Sequence, residues 1–237
     1  MSQKPAKDSA SEDRRAVRWE AHKERRRLRI LEGAVAAVEE LGPDVGVGEI
    51  AKRSGVTRAV IYRFFRDRAD LDFQIRTHIA DEVVAGLMPT FTLDDTAELL
   101  IQRAIHTYIE WTKRHPNLHQ FVGRRSSRDG SRGPDVATGA KTAMALQVSQ
   151  MFTMALAIAD RETDVAEPLA FALVGLVDST VNRWRRQKGK GMTAERLETL
   201  LAQWIWQLIA INMEGVGVTI APDVPVAEAI SQLSESA

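Results

Sequence analysis

Residues 50–65 read Ile50-Ala51-Lys52-Arg53-Ser54-Gly55-Val56-Thr57-Arg58-Ala59-Val60-Ile61-Tyr62-Arg63-Phe64-Phe65, and this stretch decides the fold. A helix-turn-helix that reads DNA needs a small residue where its helices cross, a glycine in the turn, a cap on the second helix and polar side chains facing the groove. Ala51 is the small residue, beside an inward Ile50. Gly55 supplies the turn, where positive φ is cheap only for glycine. Thr57 is an N-cap whose hydroxyl can accept from the open N–H groups of the next turn. Ile61, Phe64 and Leu71 are expected to close the core from behind, leaving Arg58, Ala59, Val60, Tyr62 and Arg63 outward. From Ile50 to Arg66 the charged residues are Lys52, Arg53, Arg58, Arg63 and Arg66, all basic. Duplex DNA rewards such local charge through counterion release.

Upstream, Ile30, Ala34, Val38 and Leu41 recur at helical spacing until Gly42-Pro43 stops the run. A second basic run, Arg14, Arg15, Arg18, Lys23, Arg25, Arg26, Arg27 and Arg29, precedes them, interrupted by acidic residues. Residues 1–15 have the composition of a disordered polar arm, and a flexible basic run such as the one from Arg14 to Arg29 can lie along phosphates or enter a minor groove. A solvated helix face is the alternative for this run. Downstream, helical patterns cover Asp67–Leu87, Asp94–His115, a short piece to about Val122, Val136–Ala159, Asp164–Gln187 and Thr193–Met213. Gly123–Pro134 is a loop by composition, and residues 215–237 read as a loosely packed tail. No stretch alternates with period two for long enough to claim a strand. The expected architecture is all-α, with a three-helix DNA-binding domain at 16–70 and a larger helical domain at 71–214.

The 237 residues are 44% apolar, enough for a sizeable core, and Lys+Arg 32 balances Asp+Glu 32, so only local charge speaks for nucleic acid. With no cysteine there are no disulfides or thiolate metal sites. The first residues lack the apolar segment of a secretion signal. The longest apolar or glycine run, Leu169–Val177, is about half of a membrane span. A cytoplasmic protein without membrane contact is expected.

Residues Leu31–Leu71 resemble the TetR family of transcriptional regulators: Ile50-Ala51, then Ser54-Gly55-Val56-Thr57, then Ile61-Tyr62 and Phe65 follow its signature. The resemblance implies base contacts from Arg58, Ala59 and Val60, and backbone contacts from Tyr62 and Arg63. It further implies phosphate contacts from Thr57 and from Arg68, which stands where the family usually has a lysine. Gly46 replaces the common Ser or Thr at the start of helix 2, so a phosphate there would meet backbone N–H groups alone. The family also implies a homodimer paired through its last two helices, a small-molecule effector, and release from a palindromic operator in double-stranded DNA, with repression the usual outcome.

The residues outside the head agree in outline. Tyr108, Trp111, Met144, Met151 and Phe152 could line an apolar effector cavity, methionine adapting its shape to varied ligands; packing in the core is the alternative for each. Leu169, Leu173, Leu176, Thr180 and Trp184 mark one side of the penultimate helix, and Leu197, Leu200, Leu201, Trp204, Leu208 and Ile211 a stripe on the last. A helix apolar over most of its girth must bury both sides, so Leu173, Val177, Trp184, Leu201, Trp204 and Leu208 are expected at the dimer interface. An effector-independent DNA-binding protein, or a carrier or enzyme with an incidental basic head, would share much of this pattern. Gly46-Val47-Gly48-Glu49-Ile50-Ala51 spells a dinucleotide-binding pattern, but it follows a helix rather than a strand. His106, His115 and His119 lack ligand spacing, Pro116 intervening. No catalytic grouping, metal site or cofactor is expected.

Overall fold

The computed structural model describes residues 9–87, 94–123, 136–187, 190–219 and 221–235, with the side chains of α1 described from Trp19. Helices run α1 Ser9–Leu41, α2 Val47–Arg53, α3 Arg58–Phe64, α4 Arg68–Leu87, α5 Ala97–Arg114, α6 Pro116–Gly123, α7 Val136–Ile158, α8 Ala166–Arg186, α9 Ala194–Gly215 and α10 Val226–Glu235. Among the described residues there is no strand, only an isolated bridge between Thr96 and Pro225. The all-α expectation holds. Two boundaries do not. α1 already runs from Ser9, so residues 9–15 are helix rather than arm, and residues 1–8 lie outside the described set. Good helix formers such as Ala10, Glu12, Arg14, Arg15 and Ala16 let a helix propagate beyond its last packed turn. The expected tail contains α10, whose entry is pinned by the Val226 N–H donating to the Asp95 carbonyl at 3.0 Å. Most of the glycine-rich loop, residues 124–135, lies outside the described residues.

The chain divides into two compact units, residues 1–78 with 117–121, and residues 79–116 with 122–237. The first exceeds the expected 16–70 because it recruits the start of α4 and a piece of α6. Arg76 of α4 is buried, its Nε donating to the Phe121 carbonyl at 3.2 Å and its guanidinium lying 5.2 Å from the Phe121 ring centroid. Asn117 donates its side-chain amide to the Glu39 carbonyl at 2.8 Å.

The core of this unit is Ile30, Ala34 and Val38 from α1, Ile50 and Ala51 from α2, Ile61 from α3, and Leu71 and Ile75 from α4. Phe65 completes it, whereas Phe64, expected there, is only half-buried. The helical pattern misleads at this point because α3 ends at Phe64, and Phe65 is extended (φ −128°, ψ 131°), which sends its side chain inward.

Helices α1 and α2 meet at a contact that the sequence marks only by a glycine inside a helix. A Cβ added to Gly33 would overlap the Ser54 hydroxyl and approach the Ser54 Cα and N to 2.8 and 2.9 Å. Ser54 is buried, its hydroxyl reaching the Ile50 carbonyl at 2.8 Å and the Ile30 carbonyl at 3.3 Å.

In the second unit α7 packs along α8 and α5 along α9. Ile105 and Ile109, Leu156 and Ala159, Leu169, Leu173 and Val181, and Leu197, Leu201, Ile205, Ile209 and Met213 form one core. No helix of the described residues is long and apolar enough to cross a membrane.

Because backbone atoms of Ser54 cannot yield as a flexible side chain would, Gly33→Ala is expected to destabilise the first unit by about 1–3 kcal/mol, read as a lowered thermal midpoint. Gly86→Ala, in α4 with nothing within 4 Å of the new Cβ, should be neutral or stabilising by up to about 1 kcal/mol. Equal effects of the two would refute the close-approach account.

Candidate nucleic-acid interface

The turn between α2 and α3 is built by local hydrogen bonds. The Ser54 N–H donates to Ile50 at 2.9 Å, the Gly55 N–H to Lys52 at 3.2 Å and the Val56 N–H to Ala51 at 3.0 Å. Gly55 takes φ 65°, the left-handed region in which a side chain is strained. Thr57 then caps α3, its hydroxyl accepting from the Val60 N–H at 3.4 Å. α3 buries Ile61 and presents Arg58, Ala59, Tyr62 and Arg63 to solvent, with Val60 half-buried. Tyr62 is 47% exposed, a large ring left outside the core.

Two glycines at the start of α2 have different consequences. Gly46 is the N-cap and offers no side-chain bond. Gly48 makes room: a Cβ there would collide with the Arg58 guanidinium, which lies against α2. The sequence signal for this was present, since Gly48 costs helix propensity without an evident local purpose.

Several basic residues of the segment are engaged within the protein. Arg53 pairs with Glu40. Arg68 is held by Asp72, Nε to Oδ1 at 2.8 Å, both side chains largely shielded. Arg68 would therefore reach a phosphate only by sharing its charge with Asp72. Arg66, counted among the local charges but not as a site residue, has its side chain 86% exposed and lies 3.8 Å from Asp70. It stands at the entry to α4, where Asp67 accepts from the Asp70 N–H and Asp70 accepts from the Arg66 N–H, both at 2.8 Å. These reciprocal bonds fix the corner between α3 and α4.

The other expected sites lie in the second unit. Tyr108 and Phe152 pack half-buried against its core. Trp111 and Met144 are also half-buried, Trp111 beside the His115 ring at 5.6 Å, while Met151 is 37% exposed. Burial, reinforced by the negative charge of Asp178 and a hydrogen bond to it, pushes the Tyr108 hydroxyl well above its ordinary ionisation range. Asp178 also takes the Lys141 ammonium at 2.6 Å and the Asn182 amide at 2.9 Å. A recess of about 390 Å³, open to solvent, is lined by Asp164, Glu167, Pro168 and Phe171, none of them expected ligand residues.

Of the expected dimer residues, Leu173 and Leu201 belong to the monomer's own core, 6% and 0% exposed, and neither is available to a second subunit. Val177 and Trp184 pack half-buried on that core, and the Trp184 indole donates to the Met192 carbonyl at 2.9 Å. Trp204 and Leu208 are exposed, as are Phe171 and Ile211. Periodicity finds the apolar stripes but does not say which of two is turned inward. Among the described residues no three His, Asp or Glu side chains gather as a metal site would require.

Residues 30–74 match the sequence model of the family described as bacterial regulatory proteins, tetR family. Over 206 residues, 86% of each chain, the protein is 25% identical to an uncharacterized HTH-type transcriptional regulator of Mycobacterium tuberculosis. Its fold is similar to a tetR-family transcriptional regulator from Streptomyces coelicolor (TM-score 0.61, 18% identity, 89% of this chain and 88% of that one). It is also similar to the transcriptional regulator FadR from Bacillus subtilis, solved in complex with stearoyl-CoA (TM-score 0.55, 17% identity, 77% of this chain and 97% of that one). Residues 30–74 thus form a helix-turn-helix head similar to that of the TetR family, and the chain as a whole is similar to HTH-type transcriptional regulators.

Arg58→Ala is expected to flatten sequence preference by about 1–3 kcal/mol per half-site, measured as competition between duplexes selected from a random pool. Gly48→Ala should keep the fold but shift the Arg58 guanidinium, altering preference at the same base positions. Unchanged preference in both variants would remove Arg58 from base reading. Tyr62→Phe should weaken all duplexes about equally.

Proposed function

We propose that the protein is a homodimeric repressor that places two α3 helices in successive major grooves of a palindromic operator, about 34 Å apart, and is released by a small, largely apolar effector. The observation that carries the DNA part is the capped α3 with Thr57, Arg58, Ala59, Tyr62 and Arg63 exposed around a buried Ile61. Arg58, Ala59 and Val60 read bases. Thr57, Tyr62 and Arg63 meet the backbone, and Arg68 contributes with its charge shared by Asp72.

The dimer face is carried by α8 and α9. Trp204, Leu208 and Ile211 are 41%, 36% and 67% exposed at helical spacing on α9, and Phe171 is 40% exposed on α8. Such apolar area on the side of α9 away from its own core is what a second copy would cover. Leu208→Glu with Ile211→Glu should yield a folded monomer in sedimentation. Leu201→Glu should instead unfold the second unit, since it buries a charge in the core. A dimer that survives the double substitution moves the interface elsewhere.

The effector is read by the second unit, with Tyr108 and Phe152, and Met144 and Trp111 at its margin, supplying apolar surface. The protonated Tyr108 hydroxyl, bonded to Asp178, supplies one polar point. The FadR complex with stearoyl-CoA makes long-chain acyl compounds the first probes. A compound at 100 times its Kd should stabilise the protein by about 2.7 kcal/mol and lower its affinity for DNA. If no apolar or acyl probe raises the thermal midpoint, the effector-independent reading replaces this one.

A further inference from the structure

α1 is 33 residues long, about 50 Å at 1.5 Å per residue, yet its first buried residue is Ile30. From Trp19 to Arg29 every side chain is exposed except the half-buried Arg27. This stretch thus projects from the packed part of α1 without an apolar seam of its own. Helices of this kind rely on pairs along their own surface: Glu20 with Lys23 at 3.6 Å and Glu24 with Arg27 at 3.2 Å. Arg27 also bonds Gln74 and lies 5.9 Å over the Phe65 ring. It therefore fastens the root of the extension to the residue that follows the recognition helix.

The remaining charges are segregated. At 3.6 residues per turn His22, Arg25, Arg26 and Arg29 share roughly a third of the helix circumference, and Glu20, Glu24 and Arg27 lie on the opposite side. The sequence continues the basic spacing upstream through Arg18, Arg15 and Arg14. Arg25, Arg26 and Arg29 are exposed and make no ion pair with a described residue, though Arg25 Nε donates to the Ala21 carbonyl at 3.2 Å. In a chain whose Lys+Arg 32 equals its Asp+Glu 32, an acid-free basic face about two turns long is a concentrated anion-binding surface.

We infer that the amino-terminal extension of α1 is a second DNA-binding element, a basic-faced helix whose Arg25, Arg26 and Arg29 grip phosphates outside the contacts of α3. The partner is the duplex backbone. The face has repeated cations and offers no arrangement for reading base edges, and it belongs to the same compact unit as the recognition helix. The extension raises affinity for all sequences and leaves the choice among them to α3. This inference rests on the proposed DNA binding.

The test compares the full chain with Arg25→Ala/Arg26→Ala/Arg29→Ala and with Arg161→Ala/Arg186→Ala/Lys190→Ala, which removes equal charge from the second unit. Anisotropy is read on a random-sequence 40-base-pair duplex across a potassium chloride series, and hydroxyl-radical footprints on a duplex selected from a random pool. The α1 triple variant should lower the slope of log K against log salt by about 2 to 3 per bound subunit. It should lose outer protections while keeping the central ones, with circular dichroism and relative preference among duplexes unchanged. An unaltered slope and footprint, or an equal change in the second-unit control, would overturn the inference while leaving α3 as the reader, provided Arg58→Ala still alters preference. Absence of salt-dependent binding by the unsubstituted protein would overturn both readings together.

Discussion

The close approach of Gly33 to Ser54 is the constraint on which the first unit depends. A helix-turn-helix shorter than most isolated helices that survive in water must be held by something outside itself. α1 does this by coming so near that no Cβ fits between them. Ser54 answers with a hydroxyl directed at two carbonyls, one on each helix. That joint fixes α2, Gly55 turns the chain, and the Thr57 cap then starts α3 so that Ile61 is buried and Arg58 lies outside. A glycine inside α1 sacrifices helix propensity of about 1 kcal/mol, and the joint is what it obtains in return.

The same unit separates structural cations from available ones. Arg27, Arg53, Arg68 and Arg76 are each committed to a protein partner: Gln74 and Phe65, Glu40, Asp72, and Phe121. Arg63 and Arg66, and the three arginines of the α1 extension, remain outward. Arg58 is intermediate in kind, exposed but resting in the space that Gly48 leaves. A neutral chain can carry a strongly positive working surface because its acidic residues are spent locally, on Arg53 and Arg68 among others, rather than spread over the binding face.

What could be read in the sequence was what is local. Turn, cap and exposed recognition residues all follow from interactions within a few residues of Gly55, and the all-α layout follows from periodicity and from helix stops such as Gly42-Pro43. The pattern points to Phe64 and the core takes Phe65, because the helix ends one residue earlier than its apolar pattern. Leu173 and Leu201 lie in their own unit's core, which periodicity does not reveal, because a helix with two apolar sides does not declare which meets that core. The buried Arg76 could not be seen at all, since its partner Phe121 lies 45 residues away and an arginine in a helix ordinarily signals surface. Helix α10 is hidden in the sequence because glycines and prolines dominate the approach to it, although Val226–Glu235 is amphipathic once begun.

The division of the chain falls within helices rather than in linkers, between His78 and Ile79 of α4 and around residues 117–121 of α6. A continuous helix transmits displacement where a flexible linker would absorb it. α4 is capped at its start by Asp67 and Asp70, directly after the recognition helix, and half a helix later it holds α6 through Arg76. α6 in turn follows α5 after a break at His115, whose φ of −119° and ψ of 58° are not helical, and Pro116 permits no continuous helix across it.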